Sequence, residues 1–298
     1  MHFTGKQKPS RRSGGTIMAI KDILIHLDNT EVCKQRLKSA MRFSAGHDSH
    51  IIGVALAIKS TINSYLGSAL PAGFGEEQQK AVHDAAQLTI EHFAQKAEKM
   101  GLSYETHIIE RGASRIPETL AFYARHADIT ILGQPDPEGS GASFKTALIE
   151  SVLFNSGRPI YLVPYVTRKA KPVKRAVVAW DGGARSARAV NDALPLLKDR
   201  EETIVLVINP EERAHAHGRK PGADIAAHLR RHGIKVTVDR TFVSDISPDK
   251  VILNVLAENG ADLLVMGAYG HSRLREMAMG GVTHTILKEM TAPVLMSH

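Results

Sequence analysis

With 298 residues, 43% of them apolar, the chain is long enough for two domains of ordinary size, each with a core of its own. No apolar run approaches the roughly 18 residues that cross a bilayer, the first residues lack the hydrophobic segment of a signal peptide, and the single cysteine, Cys33, excludes an intrachain disulfide, so a cytoplasmic protein is expected. The formal charge of +7 points to anionic partners, yet part of the excess lies in Lys6, Lys8, Arg11 and Arg12 and between Arg168 and Arg175, which argues against a nucleic-acid stripe on the folded surface.

Residues 1 to 18 are polar and basic, with Gly and Pro and no periodicity, and are expected to be a disordered tail; a start at Met18 would suit the first domain well. Residues 21 to 27 read as a first strand, and Asp28 stands at its carboxyl end before a helix over about 31 to 44. Cys33, beside Val32 in that helix, is expected to be a small buried side chain rather than a reactive thiol. A strand over 50 to 57 and a Gly- and Ser-containing insertion over 59 to 75 precede a long helix, 76 to 100, with Val82, Ala86, Ile90, Phe93 and Ala97 on one side and Gly101 as its stop. Next come a strand at 104 to 110, a helix at 114 to 126 with an early Pro117, a strand at 128 to 132, a loop, a helix at about 144 to 155 and a strand at 159 to 163. Strands alternating with helices imply a parallel sheet covered on both faces.

The pattern then repeats. KDILIHLDNT, from Lys21, matches KRAVVAWDGG, from Lys174, and sets Asp28 opposite Asp181; ADITILG, from Ala127, matches ADLLVMG, from Ala261; RPIYLVP, from Arg158, matches APVLMSH, from Ala292. Two copies of one domain explain this most simply, and their final strands are expected near each other as parts of two separate sheets. The second copy reads as strand 174 to 180, helix 184 to 198, strand 203 to 208, helix 221 to 232, strand 235 to 242, helix 248 to 259, strand 261 to 266, and a last helix and strand.

In the second copy Gly267 ends a strand, the chain turns at Gly270, and Gly280 and Gly281 open a helix in which Val282, Thr285 and Ile286 recur at helical spacing. Such a helix start offers N–H groups and a partial positive charge, and glycine lets a phosphate approach without meeting a Cβ. The spacing is neither Walker A nor the dinucleotide fingerprint, and taken alone the loop could also serve only to turn the chain.

The pattern Gly267-x2-Gly270-x9-Gly280 resembles the nucleotide loop of the universal stress protein family, and with Asp181 and the repeated element order the whole chain resembles a tandem member. The resemblance implies two tandem doubly wound five-stranded parallel sheets of the α/β class, adenine nucleotide alpha hydrolase-like, with strand order 3-2-1-4-5. A first domain would cover 19 to 166, a charged, proline-containing linker 167 to 172, and a second domain 173 to 298. It further implies ATP, with or without Mg²⁺, in the second copy. Asp181 with Gly182 would meet the ribose, the backbone at Val207 the adenine, and Met266 and Gly267 would form the strand end. Gly270, Gly280, Gly281, Val282 and Thr283 would hold the phosphates. Family members usually carry Ser or Thr where Gly281 stands, with Thr283 as a partial substitute. Asp181 has a second reading, as a cap of the following helix.

The first copy keeps Asp28, but Asp136, Thr146 and Ala147 stand opposite Gly270, Gly280 and Gly281, and Pro135 and Pro137 remove donors. It is read as structural, with Gly139, Ser140 and Gly141 as an alternative anion nest. His215 and His217 have no third ligand at informative spacing. His271, Arg273 and Arg275 either neutralise a triphosphate or form ordinary charged surface, and Trp180 is expected to pack beside the site. The function implied is an ATP-binding stress-response module, non-catalytic or at most weakly hydrolytic, whose nucleotide alters the surface offered to a protein partner; a homodimer is one form of assembly. A scaffold without nucleotide is the alternative, since Gly183 and Gly281 replace hydroxyl residues common in ATP-binding relatives. An ATP-dependent enzyme ranks third, because no Lys follows the loop.

Overall fold

The fold is taken from a computed structural model that describes residues 19–59, 74–139, 141–166, 174–198, 200–213, 220–268 and 281–298. Two compact units are formed, one chiefly from Ile20–Gly133 and Ser143–Arg158, the other chiefly from Gln134–Ala142 and Pro159–His298.

The first unit carries β1 (Asp22–Leu27), α1 (Glu31–His47), β2 (His50–Lys59), α2 (Phe74–Lys99), β3 (Ser103–Gly112), α3 (Ile116–Ala124), β4 (Ile129–Gly133) and most of α4 (Ala142–Asn155). Its strands lie in the order β3-β2-β1-β4, all parallel. The central strand is buried from Ile23 to Leu27, as a strand covered on both faces must be. Thr30 caps α1 by accepting the Cys33 N–H, and Asp48 closes the helix in the left-handed region at φ 52°. Cys33 is buried, and burial pushes its thiol pKa up, as befits a packing residue.

The second unit carries β5 (Ile160–Val163), β6 (Arg175–Ala179), α5 (Ala184–Leu197), β7 (Glu202–Ile208), α6 (Ala223–Arg231), β8 (Val236–Thr241), α7 (Pro248–Glu258), β9 (Leu263–Gly267), α8 (Gly281–Glu289) and β10 (Val294–Ser297). Its strand order β8-β7-β6-β9-β10 is the doubly wound 3-2-1-4-5, and β5 extends it beyond β10. That last pairing is antiparallel, with Leu162 opposite Val294 and Ile160 opposite Met296. The expectation of separate sheets is therefore corrected: a strand of the first copy is built into the sheet of the second unit. Both strands are buried along their whole length, so each gains a neighbour for its backbone groups and a cover for its side chains.

The repeated Ala-Asp has a shared structural duty. Asp128 accepts the N–H groups of Lys21 and Asp22 at 2.7 and 3.1 Å, and Asp262 accepts that of Lys174 at 3.2 Å. Each carboxylate thereby holds the entry to the central strand of its own copy.

Candidate functional site

In a doubly wound sheet the crevice opens at the carboxyl ends of the first and fourth strands, where the order reverses. In the second unit those ends are β6 and β9. Asp181 follows β6, half-buried, and its Oδ1 accepts the Gly183 N–H at 2.9 Å and the Ser186 hydroxyl at 2.6 Å. The carboxylate therefore braces the start of α5 from just before it, through the N-cap residue and Ser186, rather than as the helix cap of its second reading, since Gly183 is the N-cap. Gly182 sits at φ 73°, which only glycine adopts without strain, and Gly183 is the N-cap of α5 with no side chain to offer.

Gly267 ends β9 against α5. A Cβ there would lie 2.6 Å from the Arg185 carbonyl carbon and the Ser186 nitrogen, so close packing of strand on helix is enough to require this glycine. Met266 is buried. Gly281 is the exposed first described residue of α8, with no described residue within 4 Å of the position of a Cβ, while Val282 is half-buried and Thr283 is 3% exposed. The first N–H groups of α8 have no acceptor within the helix. Gly270, Gly280, His271, Arg273 and Arg275 lie outside the described residues, as do His215 and His217.

Strand parity distinguishes Val207 from its neighbour. The Trp180 N–H donates to the Leu206 carbonyl, so Leu206 faces β6, whereas Thr203 and Asn209 donate to Lys235 and Thr241 on the β8 side. Alternation then turns the peptide groups of Val207 to β8 and those of Ile208 toward the β6 side, beyond the point where β6 has ended. The Val207 side chain is fully buried, with its Cγ2 2.9 Å from where a Cβ on Gly222 would stand. Ile208 is thus the better placed residue to offer backbone groups to a ligand. Trp180 is half-buried beside this edge.

The first unit's crevice is furnished differently. Arg36, from α1, is 1% exposed; its Nε donates to the His26 carbonyl at 3.0 Å and its Nη2 stands 2.7 Å from Asp28 Oδ2. Asp28 Oδ1 also accepts the Thr30 N–H and hydroxyl. Burial pushes the Asp28 carboxyl up, but Arg36, then His26 and the Thr30 bonds, outweigh it and bring the pKa to about 2. Burial first, then Arg36, drives His26 down to about 3, so its imidazole is neutral. A small pocket beside the guanidinium is lined by His26, Leu132, Gly133, Lys145 and Leu148. Pro135, Asp136 and Pro137 follow in a loop where Asp136 accepts the Glu138 N–H, and Ser140 lies outside the described residues.

Arg36 went unread in the sequence although a signal was there: it lies among Cys33, Leu37 and Ala40 on the buried face of α1, where an arginine needs a partner. Among the described residues no group of three or more His, Cys, Asp or Glu could hold a metal, and no helix is long and apolar enough to cross a membrane.

Residues 172–298 match the universal stress protein family. A universal stress protein of Synechocystis sp. is 26% identical over 174 residues, 56% of this chain and 57% of that protein, so the chain spans little more than half of that relative's length. One of Bacillus subtilis is 26% identical over 142 residues, 41% of this chain and 96% of its own. Among solved structures, a universal stress protein from Archaeoglobus fulgidus superposes with a TM-score of 0.69 over 93% of this chain and 97% of its own at 18% identity, which shows a shared fold.

Proposed function

We propose that this chain, which belongs to the universal stress protein family, binds one adenine nucleotide, ATP with or without Mg²⁺, in the second unit and presents a nucleotide-dependent surface to a protein partner in the stress response. What carries this reading is the set of groups at the β6 and β7 ends: the Asp181 carboxylate beside the outward peptide groups of Ile208. A carboxylate accepts hydroxyl hydrogen bonds, and a peptide offers one donor and one acceptor, as the edge of adenine does. The start of α8 at Gly281, where no described residue lies within 4 Å of a Cβ position, suits phosphate in the same way.

A scaffold without nucleotide draws support from the burial of Thr283 and from the glycines at 183 and 281, which leave phosphate binding to backbone donors. One measurement separates the two. Denaturing the purified protein and identifying released nucleotide should give adenine nucleotide at no more than one per chain. In calorimetry, Asp181→Ala should weaken ATP by about 1–3 kcal/mol through lost charge-assisted hydrogen bonds, while the ion-paired Asp28 should contribute nothing. Absence of nucleotide together with no titratable binding would favour the scaffold.

A further inference from the structure

We infer that Arg36 is a tethered occupant of the first unit's crevice, the residue that denies it to a nucleoside and leaves the chain with a single nucleotide site. The inference rests on the nucleotide reading of the second crevice.

Three observations carry it. The guanidinium spans the switch point itself, bonded to the His26 carbonyl at 3.0 Å and 2.7 Å from Asp28 Oδ2 at the end of β1. At the end of β4 it lies so close under Gly133 that a Cβ there would meet Nη1 at 2.7 Å. A planar group with N–H donors therefore fills the space between the two strand ends and takes up the carboxylate that would otherwise accept hydroxyls. Counting from the paired aspartates, the residue opposite Arg36 is Ala189, fully buried and too short to reach that place. Finally, Gly267 meets the backbone of α5 first, whereas the atoms nearest the Cβ position of Gly133 all belong to the Arg36 side chain, so the guanidinium stands between helix and strand in the first copy. Loss of the glycine loop removes a grip on phosphates; Arg36 independently excludes the nucleoside.

The two effects separate with a ligand that has no phosphate. In an Asp181→Ala background, which weakens the second crevice, equilibrium dialysis with labelled adenosine should show Arg36→Ala gaining one further equivalent, at least about tenfold tighter than any binding by the Asp181→Ala parent. Adding Asp28→Asn should cancel the gain. Because Arg36→Ala removes the cation from the half-buried Asp28 carboxylate, Arg36→Met, which keeps the aliphatic stem in the core, is measured in parallel. A folded Arg36 variant that gains no adenosine overturns the inference. The nucleotide reading fails by a different result, wild-type protein with no Asp181-dependent ATP binding.

Discussion

At the residue scale, the neutral His26 and the charged Asp28 on either side of Arg36 tie the stability of the first unit to pH. His26 has a folded pKa of about 3 against an ordinary 6.5, so below pH 6.5 the unfolded chain binds a proton that the folded chain refuses, and stability falls as pH drops from 6.5 toward 3. Asp28, at about 2 against 3.8, adds stability that is complete above 3.8 and lost as pH falls toward 2. Burial and the Arg36 cation act on His26 in the same direction, with Lys145 adding to it and Asp28 opposing. Replacing His26 by Gln should therefore reduce the stability difference between pH 7.5 and pH 5 by about 2 kcal/mol, read from urea denaturation at each pH. An unchanged difference would place the histidine's proton uptake elsewhere. Gly281 offers a second test. No described residue lies within 4 Å of its Cβ position, so Gly281→Ser should fold as the parent does and place a hydroxyl at the start of α8. Calorimetry should then show ATP binding strengthened by about 1 kcal/mol.

At the scale of elements, the second-copy strands and helices are placed by close backbone approaches that glycines permit. Gly222 begins α6 at φ 76°, and a Cβ there would meet Val207 and Val238 side chains at 2.9 Å. Gly222→Ala should cost about 1–3 kcal/mol from strain and overpacking together, measured by chemical denaturation. A neutral result would mean that α6 can shift freely on β7. The same contact explains why Val207 was legible only in part. Its apolar run marked a buried strand, but which peptide groups face which neighbour depends on the register that Trp180, Lys235 and Thr241 set, and those residues are distant in sequence. Gly267 shows the converse: its place after an apolar run was readable, whereas its contact with α5 was not.

At the scale of the whole molecule, the repeat and the packing divide the chain at different places. Gln134, 1% exposed, donates to the Leu287 and Lys288 carbonyls at 2.9 and 3.1 Å and accepts the Tyr165 N–H at 3.0 Å, all within the second unit. Its amide thus caps the end of α8 and fixes the chain after β5. Gln134→Leu, similar in volume, should cost about 1–3 kcal/mol by leaving buried groups unpaired, with urea denaturation as the readout. If stability were unaffected, water would have to reach those carbonyls.

The α/β class, the repeat and the order of elements follow from the sequence itself, because a buried parallel strand requires a continuous apolar run and its helix a periodic apolar face. Asp181 and the glycines from 267 to 281 could be singled out as candidates from residue type and local spacing, and Gly270 and Gly280 lie outside the described residues. The tertiary structure decided the rest. Arg36 becomes the filling of a crevice only when α1 is laid across β1 and β4, Ile208 rather than Val207 turns its peptide groups toward the β6 side only through strand register, and β5 joins β10 because two short apolar strands bury each other's edges. Each depends on which distant groups satisfy buried charges and backbone hydrogen bonds, and that choice is made by packing, not by local pattern.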